Sequence, residues 1–411
     1  MLTRRLFLKG ASVLGCSAAA YPLISTVTLA SVPGDSRLVV IVLRGAMDGL
    51  DVLQPYGDPM LAAYRPNLRT GPGTGEAAAA DLDGFYALHG GLAGLMPLWQ
   101  AGELGFAHAV STPYRDKRSH FDGQDILEAG TGPDVPDPSA REGWLNRLVQ
   151  GLPGATAETA FSVGVEEMLI LQGRAPVSSW APEAKLSLTP QARLLLEAVY
   201  HDDALFREAA EQAMELGAEP VLTANGAGMS EEMADPAMLP GAVSGNAQAG
   251  IALAEFAAEK LRGATRIASF SLTGWDTHRG QGPMMAKALE RLQAVILALK
   301  AGLGPVWAQT TVLAVTEFGR TARENGSRGT DHGTGGAMLM AGGAVRGGRV
   351  YGRWPGLAEA DLYDGRDLMP TGDVRAYAGW AMRGMFGIDH SMIERGVFPG
   401  LDLGEDPGVL L

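Results

Sequence analysis

The sequence predicts an α/β fold built on a mostly parallel sheet covered by helices, and three observations carry that expectation. Short uninterrupted apolar runs bounded by Gly or polar residues read as strands buried on both faces, and they span residues 38–43, 104–110, 267–272, 311–316 and 337–341. Segments with apolar residues at helical spacing lie between them, at 91–100, 144–149, 191–216, 247–261 and 284–303. Strands alternating with segments long enough to cross over favour parallel pairing. Polar clusters sit at the ends of the apolar runs, which is where open α/β sheets bind ligands.

The first thirty residues stand apart from this pattern. Thr3-Arg4-Arg5-Leu6-Phe7-Leu8-Lys9 forms a twin-arginine export motif, and an apolar stretch follows it to Thr28-Leu29-Ala30, a small-x-small cleavage site. At about 21 residues the stretch is just long enough to span a bilayer. Its Ala, Ser, Gly and Thr content and its cleavage site favour a removable leader over a stable membrane anchor. The expected organisation is a leader at 1–30 and a single domain at 31–411. Residues 221–246, rich in Gly, Ser, Pro, Met and acids, form an excursion or lid within it. The expected partner during export is the twin-arginine translocation machinery, and the expected location is the periplasm.

Composition narrows the function classes. Gly and Pro, 56 and 24 of 411 residues, stay below the level of low-complexity chains. The formal charge of −13 argues against a nucleic-acid binder, which needs a basic face. Cleavage after Ala30 would remove three of the 33 basic residues and none of the 46 acidic ones, deepening that charge to about −16. It would also remove Cys16, the only cysteine, so a metal site must come from Asp, Glu, His and backbone oxygens. A redox enzyme gains no support, since a Gly-x-Gly-x-x-Gly after a strand is missing as well.

Five clusters could carry chemistry. Arg44-Gly45-Ala46-Met47-Asp48-Gly49-Leu50-Asp51 follows the first strand, and Asp48 reads either as a ligand-reaching carboxylate or as a helix cap. Arg118-Ser119-His120-Phe121-Asp122 opens a helix after the second strand. Ser119 there is either a nucleophile favoured by the helix N-terminus or an N-cap with Asp122 completing a capping box. In Gly274-Trp275-Asp276-Thr277-His278, Asp276 and His278 point to one side of an extended segment, as a metal-binding pair or as a hydrogen-bonded pair without metal. Thr316-Glu317-Phe318-Gly319-Arg320 ends a strand, and Thr330-Asp331-His332-Gly333 precedes one. The five converge only if the sheet is parallel. His89, His108, His201 and His390 read as surface or satisfied core histidines.

Taken in order, these five clusters resemble the exported bacterial family named domain of unknown function 1501, over essentially the whole mature chain. That family is regarded as related to the alkaline phosphatase and sulfatase superfamily. The resemblance therefore implies a three-layer α/β/α sandwich with metal ligands and a nucleophile at the carboxyl ends of the strands. Carried over, it implies Asp48, Asp276, His278, Glu317, Asp331 and His332 as metal residues and Ser119 as nucleophile, with Gly130-Thr131-Gly132 as the turn that follows. Where the superfamily normally carries an Asp-His pair, this chain has Val315-Thr316-Glu317-Phe318. That departure favours a single ion held by Asp48, Asp276, His278 or Glu317, or a loosely held pair. Ser111-Thr112-Pro113-Tyr114-Arg115 matches the Ser-x-Pro-x-Arg pattern that sulfatases can have oxidised, which makes Ser111 a second candidate nucleophile.

The function expected is a metal-dependent hydrolase of phosphate or sulfate esters. One or two divalent ions, among zinc, manganese, magnesium and calcium, would polarise a small anionic ester. His120 would shuttle a proton, and Arg118, Arg320 or Arg44 would hold anionic oxygens. The rival is a non-catalytic exported binding or assembly protein that keeps the fold with a degraded site.

Overall fold

The computed structural model describes residues 34–181 and 247–411, apart from 70, 74–77, 116, 133–141, 165 and 167. The leader at 1–30, the helix expected at 191–216 with His201, and the excursion at 221–246 lie outside the described residues. Nine strands form the main sheet: β1 (Arg37–Leu43), β2 (Leu104–Ser111), β3 (Ala160–Val163), β4 (Ser178–Trp180), β5 (Ile267–Leu272), β6 (Thr310–Val315), β7 (Gly336–Ala341), β8 (Val350–Tyr351) and β9 (Gly372–Asp373). Five longer helices are α1 (His120–Ala129), α2 (Trp144–Gly151), α3 (Ala247–Leu261), α4 (Gln281–Leu303) and α5 (Val374–Phe386). All five strands expected from the sequence are present within a residue or two.

Strand order is β8-β2-β7-β6-β1-β5-β3-β4, with β9 also pairing β2. Pairings are parallel except those of β7, which runs antiparallel to both β2 and β6. This corrects the expectation that parallel strands alone gather the five clusters. Asp331-His332 precedes its strand, so only a reversed strand can bring that loop to the edge where β1, β5 and β6 end.

Every residue of β1 is buried, and its side chains divide by period two. Val39, Ile41 and Leu43 pack on one side with α3 and α4. Leu38, Val40 and Val42 pack on the other with α2 and α5. The result is a three-layer α/β/α sandwich. The helix expected at 91–100 is instead a 3-10 turn, Gly90–Leu95, followed by a short helix, Met96–Gln100. Gly91 and Gly94 weaken the first half, and Pro97 suits the first turn of a new helix rather than the middle of an old one. Among the described residues, no helix is long and apolar enough to cross a membrane.

Gly319 links the exit of β6 to the entrance of β7, and a Cβ placed on it would collide with the Gly335 carbonyl. Gly319→Ala should therefore cost at least about 2 kcal/mol in urea unfolding, by forcing backbone apart. Gly326→Ala, where a Cβ meets open space, should stay within about 0.5 kcal/mol of the parent.

Candidate functional site

The site is assembled where β1, β5 and β6 end and β7 begins. Gly45 follows β1 with φ +118, a conformation that L side chains rarely adopt, and a Cβ there would lie 2.6 Å from the Asp276 amide nitrogen. Glycine thus lets the β1 exit touch the loop that carries Asp276. The Gly45 amide donates to Glu317 Oε1 at 2.9 Å.

Glu317 follows β6 and has no solvent exposure. Besides Gly45, its Oε1 accepts from Gln124 Nε2 at 3.2 Å and lies 2.8 Å from His120 Nδ1, while Oε2 accepts from the Thr316 hydroxyl at 2.9 Å. Burial pushes the carboxyl up, but the His120 interaction and the bonds around it outweigh this and hold it below the ordinary range.

Three imidazoles are anchored in the same way. His120 Nδ1 faces Glu317, His278 Nδ1 lies 3.0 Å from Asp331 Oδ1, and His332 Nδ1 lies 2.8 Å from the Arg118 carbonyl oxygen. Each partner oxygen only accepts, so each Nδ1 carries the proton and each Nε2 of a neutral ring presents a lone pair. The three Nε2 atoms turn toward one carboxylate: His120 to Asp276 Oδ2 at 3.4 Å, His278 and His332 to Asp276 Oδ1 at 3.1 and 3.3 Å. The ligand atoms of His120, Asp276 and His332 all lie within 4.8 Å of one another. His278 Nε2 is 2.9 Å from His332 Nε2.

Two observations test whether these residues fit a metal. His120 Nε2 is buried without a hydrogen-bond partner, its approach to Asp276 being off hydrogen-bond geometry. The lone pairs of His278 and His332 face each other at a distance that needs a proton or a cation between them. Both fit a divalent ion with imidazole and carboxylate donors.

Asp276 is fixed by Arg320. The buried guanidinium donates to Asp276 Oδ1 at 2.6 Å and to the carbonyls of Ala46, Gly45, Trp275 and Thr330. Burial raises the Asp276 carboxyl, but His120, His332 and Arg320 together hold it far below the ordinary carboxylate range.

The sequence-expected residues thus divide. Asp276, His278, Asp331, His332, Glu317 and His120 come together, with Glu317 and Asp331 against the Nδ1 atoms of His120 and His278. Asp48 lies in a separate buried network: its Oδ2 accepts from Arg65 Nη1 and Gln281 Nε2, each at 2.7 Å, and its Oδ1 caps the helix Gly49–Val52. Beside it, burial and the Asp48 charge push the Asp51 carboxyl up to about 7. Arg320 spends its guanidinium on the protein, and Arg44 bonds Glu166, Glu128 and Gln124; neither is available to clamp an anion. Arg118 is exposed, in the left-handed region at φ +54. Ser119 is the N-cap of α1, accepting from the Asp122 amide at 3.4 Å, and Gly130 ends that helix as a left-handed C-cap. Ser111 ends β2 with a buried hydroxyl lacking a partner, while Arg115 folds back onto the carbonyls of Thr112 and Tyr114. Asp51 belongs to the first of the five clusters, whereas Arg65 and Gln281 escaped the sequence reading.

Fold and site together define an α/β/α sandwich with a cluster of histidines and acids at one sheet edge. The model for the family described as "Protein of unknown function (DUF1501)" matches residues 78–377, and the chain belongs to that family. No curated protein matches the sequence. Solved structures of distant similarity include a protein in the alkaline phosphatase superfamily from Vibrio parahaemolyticus, 12% identical over 91% of this chain and 74% of that one, TM-score 0.37. The lipoteichoic acid synthase LtaP from Listeria monocytogenes is 7% identical over 90% of this chain and 77% of its own, TM-score 0.36. The C-terminal periplasmic domain of EcEptC from Escherichia coli, solved in complex with Zn, is 9% identical over 76% and 75%, TM-score 0.34.

In the metal-free protein, burial works against charge on His120, but Asp276 and Glu317 raise its pKa to about 9. The folded-state value lies above the unfolded value near 6.5, so this contribution to stability is complete below about pH 6.5 and is lost as pH rises through about 9. Urea midpoints of metal-free protein should fall over that window, and His120→Ala should flatten the fall.

Proposed function

We propose that the chain is an exported, metal-dependent hydrolase of phosphate or sulfate esters. The observation that carries the reading is the convergence of three anchored imidazole Nε2 atoms on Asp276. His120, Asp276 and His332 would hold one divalent ion, with His278 beside them. The donor set, imidazoles with one carboxylate, suits zinc better than magnesium or calcium. An ion bound there supplies Lewis-acid polarisation of an ester oxygen and lowers the pKa of a nearby nucleophile.

The chain's own residues supply the rest. Ser119 is the proposed nucleophile: its Oγ accepts a long hydrogen bond at the N-terminus of α1, whose dipole favours an alkoxide. The exposed Arg118 beside it would receive anionic oxygens. Glu317 and Asp331 hold His120 and His278 in the tautomer that leaves Nε2 basic. Export through the twin-arginine machinery into the periplasm belongs to the same proposal, on the strength of Arg4-Arg5 and the stretch that follows.

One observation favours a second reading, a non-catalytic exported protein that binds metal. Arg44 and Arg320, expected to hold an anion, are both spent inside the protein.

Element-resolved analysis of the purified protein should find near-stoichiometric metal, lost in the double variant Asp276→Asn, His278→Ala. Glu317→Gln should weaken metal binding about 10–100-fold, since it removes the carboxylate that orients His120. Ser119→Ala should retain the metal and abolish turnover in a screen of phosphate and sulfate esters. Turnover unchanged in Ser119→Ala would remove that residue from the mechanism, and metal without any turnover in the parent would select the second reading.

A further inference from the structure

The candidate ligands sit on two loops that arrive from different strands, 274–278 after β5 and 329–333 before β7. Neither loop alone fixes its distance from the other. Arg320 and the His278–Asp331 contact link them on the site side, and on the buried side the link is Gln281, the first residue of α4, which has no solvent exposure. Its Oε1 accepts from the Thr277 hydroxyl at 3.0 Å and the Thr330 hydroxyl at 2.7 Å. Its Nε2 donates to Asp48 Oδ2 at 2.7 Å and Asp51 Oδ2 at 2.8 Å. Thr277 lies between Asp276 and His278, and Thr330 adjoins Asp331. Each loop thus donates one hydroxyl to a single amide oxygen, while the amide nitrogen ties that oxygen to a buried carboxylate pair.

We infer that Gln281 is the positioning residue that sets the separation of the two ligand loops, and with it the affinity of the site for a divalent ion. The second clause rests on the metal reading above; the first stands without it. Gln281 uses all four amide hydrogen-bonding sites, two donors and two lone pairs. Glutamate cannot replace it, because a third carboxylate would face Asp48 and Asp51 with no proton to give. Methionine, similar in length, would withdraw an acceptor from two hydroxyls and a donor from two carboxylates, with Asp48 Oδ2 at 3.3 Å left as an acceptor for Thr330 and Arg65 left on Asp48. The loops are otherwise pressed together: the Thr330 amide donates to the Thr277 carbonyl at 3.2 Å, and a Cβ on Gly329 would collide with the His278 backbone.

The test uses the full mature chain and four variants, Gln281→Met, Thr277→Val, Thr330→Val and Thr311→Val. The last removes a buried hydroxyl that has no partner. Zinc affinity is read by chelator competition and ligand geometry by the visible bands of cobalt(II)-loaded protein. Hydrogen exchange of both loops is measured without metal. Gln281→Met should weaken zinc binding about 10–100-fold and shift the cobalt bands. Thr277→Val and Thr330→Val should each weaken zinc binding about fivefold, the worth of one hydrogen bond, and Thr311→Val should leave it unchanged. In metal-free Gln281→Met, both loops should exchange faster together while β1 and β6 stay protected. Zinc affinity within twofold of the parent with unchanged cobalt bands would overturn the inference. So would exchange of both loops at the parent's rate, and that readout decides the positioning role even if the parent binds no metal, an outcome that would sink only the metal reading. If Gln281→Met does not fold, the two Thr→Val variants carry the same comparison, and parental behaviour in both overturns the inference.

Discussion

A carboxylate with no access to water must be satisfied by protein groups on both oxygens, and Glu317 imposes that constraint on the whole site edge. Its partners come from three places: the amide of Gly45 after β1, the hydroxyl of Thr316 at the end of β6, and Gln124 and His120 on α1. Its backbone carbonyl also accepts from the Thr112 hydroxyl just past β2. Holding these groups on one residue locks the first turns of α1 against the central strands. That lock aims His120 Nε2 across the gap toward Asp276. Ser119 is carried along at the cap of the same helix, so the candidate nucleophile is placed by the residue that orients a candidate ligand.

Much of this was legible in the sequence because strands buried on both faces leave continuous apolar runs, and β1, β2, β5, β6 and β7 all do. The direction of β7 was not legible, since an apolar run carries no information about which neighbour it meets or how. α5 was readable but passed over: Val374, Tyr377, Ala378, Ala381, Met382 and Met385 keep helical spacing, broken to the eye by Arg375, Gly379 and Gly384. Gln281 was hidden for a different reason. The apolar periodicity of α4 starts only at Met284, so the first turn of the helix reads as loop, although Gly280 with φ +53 marks the boundary.

The arginines show where residue type alone misleads. A guanidinium beside a cluster of acids reads equally well as an anion clamp or as a buried tie, because both uses exploit the same planar set of donors. Here Arg320 bonds four backbone carbonyls and Asp276, and Arg65 bonds Asp48 and the carbonyls of Thr321 and Ala322. Asp48 is accordingly neutralised inside the protein. Both Asp48 oxygens are taken at a buried position, Oδ2 by Arg65 and Gln281 and Oδ1 by the Leu50 amide, whereas Asp276 is exposed and Arg320 bonds only its Oδ1.

Charge balance gives the site its character. Asp276, Glu317 and Asp331 contribute three negative charges around the imidazoles, and Arg320 returns one positive charge. With neutral rings the carboxylates are the charges nearest the Nε2 atoms, and they draw positive charge to that side. Without metal the available charge is protons, which is why His120 holds its proton up to about pH 9 despite burial. A divalent ion held by His120, Asp276 and His332, as proposed above, would supply positive charge at the same place and would have to displace a proton from a charged ring to bind. Protons and such an ion would compete for one place, and because an accepting oxygen anchors each Nδ1, the competition would fall on the Nε2 side of each ring.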